Sequence, residues 1–293
     1  KSYKNQLALF SAPQQVIIDT SFLKTLSKED IISGYGEIVK LFLIGGEYYI
    51  NNIDNFDYDT AIYHALNIKK AVDILNESGV IAFPTETVYG LGGDASCESS
   101  IKKIYIIKNR PLHNPLIIHV ASLEEAKMIG KLNNTAMKMA KAFWPGPLTL
   151  LVEKKRNNGI TPAATSNLDS IAIRVPSNPI ILKILNTFGK PIAAPSANLS
   201  GTVSATNASH VFDDFGDDIE MILDGDKCAH GIESTIVDVR SENIQILREG
   251  AITKDQIFKI TKLQLDAYDG HKILSPGQLK KHYSPKARVR INV

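Results

Sequence analysis

FPTETVYGLGGD, residues 83–94, begins where an apolar run ends, at Gly79-Val80-Ile81-Ala82-Phe83. Small polar residues follow, then an aromatic residue and a glycine-rich turn. A short buried strand opening into a polar loop and glycines is how many α/β proteins present a ligand. Just upstream, Ala65, Ile68, Ala71, Val72 and Leu75 recur at helical spacing. Residues 61–77 therefore read as a helix, stopped at Gly79. Downstream the alternation continues. Helices are expected over 100–107, 135–143 and 178–187, the last with Pro179 in its first turn. Strands are expected over 80–83, 116–120, 148–152, 171–175, 192–194, 221–223, 235–239 and 245–247. That pattern is an α/β domain with a mixed sheet.

Composition narrows the class. The chain has 293 residues, 44% hydrophobic and 22% charged, as in a globular protein. Lys+Arg 33 against Asp+Glu 31 leaves a formal charge of +2. There is no whole-chain nucleic-acid signature, although a local basic patch stays open. Cys97 and Cys228 fit no metal-ligand spacing and read as reduced, partly buried thiols of a cytosolic protein. No apolar run reaches membrane-spanning length; the best, 38–44, contains Lys40. KSYKNQLALF lacks the apolar core of a secretory signal and starts without Met, so the chain reads as a fragment or processed form.

Several motifs carry chemistry. There is no G-x-x-x-x-G-K-[ST] and no G-x-G-x-x-G after a strand, so a nucleotide would be held by side chains and unusual loops. Lys108-Asn109-Arg110 ends a helix, where cations suit the dipole. The following Pro111-Leu112-His113-Asn114-Pro115 is a stiffened loop, and Arg offers a fork for phosphate or carboxylate oxygens. Both readings of Lys108 and Arg110 stand. Pro195-Ser196-Ala197-Asn198-Leu199-Ser200-Gly201 after an apolar strand suits a capped turn or an anion loop. Arg174, inside Ile171-Ala172-Ile173-Arg174-Val175, needs a partner or a ligand. Arg248 repeats the pattern after Ile246-Leu247. Two arginines closing two strands favour an anionic, phosphorylated small molecule in a cleft at strand ends. The histidines show no zinc spacing, and no metal site is expected.

PTETVYGLGGD, KNRPLHNPLIIHV, WPGPLTLLV, IAIRVPSNP, PSANLSG, GIESTIVDV and ILREG occur in this order. Together they resemble the YrdC-like L-threonylcarbamoyladenylate synthases, over about residues 64–262, with SPGQLKKHYSP extending the match. The resemblance implies an open, twisted mixed sheet with flanking helices and a basic concave face. It implies synthesis of L-threonylcarbamoyladenylate from L-threonine, bicarbonate and ATP, with pyrophosphate release. A separate tRNA threonylcarbamoyl transferase complex would take the product to tRNA. Thr87, His119, Arg174 and Ser234 would surround threonine, with Arg174 on its carboxylate. Lys108, Arg110, Asn114, Ser170, Ser196, Asn198, Ser204, Arg248 and Tyr283 would hold ATP, Lys108 and Arg110 as the catalytic cations. Tyr283, beside His282, would come from the tail folding over the site. Mg²⁺ would arrive with ATP, without a dedicated carboxylate cage. The setting would be the cytoplasm, without a membrane.

The ends differ. KNQLALFSAPQQVIIDTSFLKTL and SGYGEIVKLFLI resemble an internal segment of 3-dehydroquinate synthases, with Glu37 and Lys40 on that family's motif and Ala8 where it usually has Gly. Residues 1–50 thus read as a remnant without that activity, 51–60 as a linker, 61–262 as the catalytic domain and 263–293 as a tail or lid. Two other readings stand beside the enzyme: a YrdC-like module binding RNA weakly without chemistry, and an inactive, decayed fusion.

Overall fold

The computed structural model describes residues 58–268, 270 and 272–278. The segment 1–50 with Glu37 and Lys40, most of 51–60, and His282 and Tyr283 lie outside the described residues. The chain from Ala65 onward gathers into one unit.

The helices are α1 (Tyr58–Asn76), α2 (Glu98–Ile107), α3 (Leu123–Ile129), α4 (Asn134–Phe143), α5 (Pro179–Phe188), α6 (Ala208–Phe215) and α7 (Lys254–Thr261). The strands are β1 (Ile81–Phe83), β2 (Gly90–Asp94), β3 (Ile117–His119), β4 (Gly130–Lys131), β5 (Leu148–Lys154) and β6 (Ser170–Arg174). After them come β7 (Ile192–Ala194), β8 (Met221–Ile222), β9 (Thr235–Asp238), β10 (Gln245–Arg248) and β11 (Asp266–Ala267). They form one sheet in the order β11-β10-β9-β5-β6-β3-β7-β2-β1-β8, with β4 on β5. The pairs β3–β6, β5–β9, β1–β8 and β10–β11 are parallel. Antiparallel pairs such as β5–β6 and β3–β7 lie between them, so the sheet is mixed, as expected.

Helix starts follow local chemistry. Asn178 accepts from the Ile180 amide and Pro179 opens α5. Asn207 caps α6 through the His210 amide. Thr253 and Gln256 form a reciprocal capping box on α7. Helix α1 starts within the expected linker, at Tyr58, because neither Gly nor Pro interrupts its first turn.

Strand alternation sorts side chains between two faces. On one face Leu91, Ile118, Leu150, Ile173 and Val237 pack beneath Ile104 of α2, Met139 of α4, Phe215 of α6 and Ile257 of α7. The other face is covered at its two ends. Ile81, Phe83, Ile192 and Ala194 meet Leu75 of α1 and Ile184 of α5. Ile117, Leu151, Ala172, Ile236 and Leu247 meet Leu274. His119 lies two residues beyond Ile117, and Arg174 two beyond Ala172. Both therefore point to this second face, between its covered ends.

The expected glycine-rich turn at 90–93 is instead β2, buried throughout. A Cβ at Gly92 would come within 2.6 Å of the Phe83 ring and 2.7 Å of Ile192. The glycine is there because two large side chains cover the strand, not because the backbone turns.

Candidate active site at the strand ends

A cavity of about 40 Å³ opens on the second face, between the loop after β1, the ends of β3 and β6, the loop after β7, the approach to β9 and the end of β10. Its wall contains Thr87, His119, Arg174 and Ser234 on one side of the expectation, and Arg110, Ser196 and Arg248 on the other. Thr85, Glu233 and Pro276 also line it.

The loop after β1 is set by its own hydroxyls. Thr85 Oγ1 donates to the Val88 carbonyl at 2.6 Å and accepts from the Thr87 amide at 3.1 Å. The two threonine hydroxyls are 2.8 Å apart. Since the Thr85 proton goes to Val88, Thr87 must donate to Thr85. Thr87 therefore meets a ligand as an acceptor.

Arg174 is not a bare cation. Its Nη2 donates to Glu86 Oε1 at 2.6 Å and its Nε to the Gly146 carbonyl at 3.3 Å. The other carboxylate oxygen of Glu86 accepts from the Ser177 amide at 3.0 Å. Both side chains are nearly inaccessible, at 5% and 9%. Burial raises the Glu86 carboxyl, and the charge and hydrogen bond of Arg174 more than offset it, leaving it below its ordinary value. His119 is buried next to the same arginine. Burial and the Arg174 charge push its imidazole down to about 3, so it is neutral at physiological pH. Its Nδ1 lies 3.2 Å from the Ile117 carbonyl, a contact that requires an N–H there.

The opposite wall repeats the pairing. Arg248 forms an ion pair with Glu233. Its Nε donates to the Ser234 carbonyl at 3.0 Å and its Nη2 to Ser234 Oγ at 2.9 Å. Ser234 Oγ also sits 2.8 Å from Thr149 Oγ1. Arg110 is half-buried and held by the Asn114 and Pro115 carbonyls at 3.1 and 2.9 Å. Burial lowers its guanidinium to about 10, which leaves it a cation.

Five of the expected ATP residues are off the cavity wall. Lys108 is 1% exposed, and its Nζ donates to the Ser196 carbonyl at 2.6 Å and to the Asn198 carbonyl. It pins the loop after β7 from behind. Burial, then the nearby Arg110 charge, lowers it to about 7, against the pull of Glu233 and Asp214. Asn198 accepts from Ser196 Oγ at 2.5 Å and donates to the Leu199 and Thr202 carbonyls. Ser204 donates to Glu233 Oε1 at 2.9 Å. Ser170 begins the strand that Arg174 ends, four residues and roughly 13 Å away. Asn114 is buried, and its side-chain oxygen has no hydrogen-bond partner.

Sequence reasoning missed Glu86 and Glu233. It required a partner for each strand arginine, but no local pattern says which carboxylate supplies it. Asp238, which alternates with apolar neighbours in its strand, is 7% exposed and accepts twice from the Arg240 guanidinium and once from its amide. Among the described residues no group of three or more His, Cys, Asp or Glu could hold a metal ion.

Known proteins resemble the chain in sequence and fold. The chain is 41% identical over 228 residues to the threonylcarbamoyl-AMP synthase of Pyrococcus abyssi, covering 76% of this chain and 66% of the relative. It is 35% identical to the enzyme of that name from Aliivibrio fischeri, covering 63% of this chain and 99% of the relative. It thus spans about two thirds of the length of the longer relatives. The crystal structure of P. abyssi Sua5 complexed with L-threonine superposes with a TM-score of 0.70 at 40% identity, over 75% of this chain and 66% of that one. Escherichia coli YciO matches in fold, with a TM-score of 0.60 at 23% identity over 65% of this chain and 92% of that one. Residues 73–250, which hold every cavity-lining residue except Pro276, match the family model Sua5_yciO_yrdC, described as "Telomere recombination". The chain belongs to that family.

Proposed function

We propose that the protein makes L-threonylcarbamoyladenylate from L-threonine, bicarbonate and ATP and releases pyrophosphate. The observation that carries this reading is one cavity with two kinds of wall. Thr87, His119 and Arg174 suit an amino acid; Arg110, Ser196 and Arg248 suit a polyphosphate. The relatives' name and the threonine complex of P. abyssi Sua5 support it.

Arg174 would meet the threonine carboxylate with the guanidinium N–H groups that Glu86 and Gly146 leave over. Thr87 would accept from the amino group. The amine, once unprotonated, captures carbon dioxide derived from bicarbonate. A carbamate oxygen then attacks the α-phosphorus, and the bond to pyrophosphate breaks. Charge builds on the non-bridging oxygens, where Arg110 and Arg248 are already fixed. Lys108 would act through the loop it pins unless nucleotide draws it out. Mg²⁺ would come with the polyphosphate. The donor set fits such a carried ion, since Glu233 is the single described carboxylate on the wall and Mg²⁺ usually keeps phosphate and water ligands.

The product would pass to a tRNA threonylcarbamoyl transferase complex in the cytoplasm. Among the described residues no helix is long and apolar enough to cross a membrane. The test is pyrophosphate release by purified protein with ATP, Mg²⁺, L-threonine and bicarbonate, omitting each in turn. Release that needs all three substrates is expected. Arg174→Ala should remove at least 99% of turnover while the circular dichroism spectrum is kept; full turnover in that variant would refute the carboxylate assignment.

A further inference from the structure

Glu86 poses a problem that the threonine reading does not solve. An arginine meant for a carboxylate ligand already has a carboxylate of its own, 2.6 Å away and buried. Glu86 is not among the residues of the cavity wall; it stands behind Arg174. It is anchored to the Ser177 amide, and its backbone carbonyl accepts from the His230 amide at 2.9 Å. Its position is therefore set by two separate segments, 174–177 and the loop at His230, and the guanidinium is held in turn by it and by Gly146.

The charges around Arg174 then balance. The arginine contributes +1, Glu86 contributes −1 and the neutral imidazole of His119 contributes nothing. Thr87 presents a hydroxyl whose proton is committed to Thr85, leaving lone pairs toward the cavity. A bare carboxylate would find a guanidinium whose attraction is half-spent on Glu86. A zwitterion would find the guanidinium for its carboxylate, an acceptor for its ammonium and no net charge to oppose either.

We infer that Glu86 is a specificity-determining residue, which tunes this wall to a zwitterionic amino acid and against the same molecule without its ammonium. The inference rests on the threonine reading of this wall, and it names the chemical feature that the wall selects. Glu86 acts through its charge and through the guanidinium it positions.

The test is equilibrium binding, by calorimetry, of L-threonine and of 3-hydroxybutyrate, which is threonine without its amino group. Wild-type protein, Glu86→Gln and Glu86→Asp are compared. The Gln variant keeps the shape and can still accept from Arg174. L-threonine affinity is expected to fall at least tenfold, while 3-hydroxybutyrate affinity holds or rises. The selectivity ratio would then collapse. The Asp variant keeps the charge and shortens the arm, so both ligands should weaken together with the ratio kept. It also serves if the Gln variant does not fold, because loss of the ratio in Glu86→Asp contradicts a charge-based filter. Equal weakening of both ligands in Glu86→Gln, or no change in either, overturns the inference. If the wild-type protein binds no threonine, the reading of the wall itself fails, and that result is distinct from a failure in the variants.

Discussion

Lys108 should make the folded state more stable as pH rises. The ammonium is 1% exposed and is lowered from 10.5 to about 7, chiefly by burial. Between those values the unfolded chain carries a proton that the folded chain has released. The unfolded state binds more protons, so stability climbs with pH across that window, by about 1.4 kcal/mol per pH unit. The whole displacement corresponds to about 5 kcal/mol. The Ser196 and Asn198 carbonyls on Nζ pull the other way, because a charged donor gives them stronger hydrogen bonds. A net rise of about 2–4 kcal/mol between pH 7 and pH 9.5 is the expectation.

The perturbation is Lys108→Met, which keeps the length of the buried stem and removes the titrating group. It leaves two carbonyls without their donor, at about 1–3 kcal/mol each, but that cost does not vary with pH. The assay is urea unfolding of both proteins at half-unit steps from pH 7 to pH 9.5. The difference between them isolates Lys108 from the other groups that titrate in this range. Wild-type stability should gain on the variant by 2–4 kcal/mol, about, from the lowest pH to the highest. A difference that stays level, or one that shrinks, would refute the claim that a buried, discharging ammonium holds the loop after β7.

Two further predictions concern the cavity. Gly277 has φ +94, and a Cβ there would come within 2.6 Å of Arg248 Cδ. Gly277→Val should therefore displace the Arg248 side chain and raise the KM for ATP about tenfold, leaving the KM for threonine unchanged; steady-state kinetics with each substrate varied would show it, and equal KM values in variant and wild type would sink it. Because His119 is pushed down to about 3, its charge does not change across the physiological range. L-threonine affinity measured by calorimetry should be level from pH 5 to pH 7.5, and a titration step near the ordinary histidine value of about 6.5 would contradict the neutral assignment.

What could be read from the sequence follows from where each signal lies. The strands β3, β6, β7 and β9 were legible because each is a short apolar run with a clear stop, and burial on both faces of a sheet demands such runs. Helices α3, α6 and α7 were missed. They span only seven or eight residues, too few for a periodic apolar stripe to stand out. Two of them open on hydroxyl caps, Ser122 before Glu125 and Thr253 before Gln256, a signal that the reading of apolar periodicity passes over. Glycines 90, 92 and 93 were read as a turn because glycine most often signals one. Here Gly90 and Gly92 answer the Phe83 ring across the sheet and Gly93 answers Ser100 of α2, which no local pattern reveals.

The site divides the same way. Its cations were legible, since an arginine inside an apolar strand cannot stand alone. Their partners were not. Glu86 lies 88 residues from Arg174, in the polar loop after β1, and only the fold brings that loop onto the end of β6. Glu233 lies 15 residues from Arg248, in the loop just before the strand that pairs with it. In both cases the sequence states that a negative charge is needed, and the topology decides which residue supplies it. Buried ion pairs do not by themselves make a fold more stable, because desolvation offsets much of the attraction. Two such pairs facing one cavity are better explained by what they hold ready there: guanidinium groups fixed in place before a ligand arrives, with their charge already balanced.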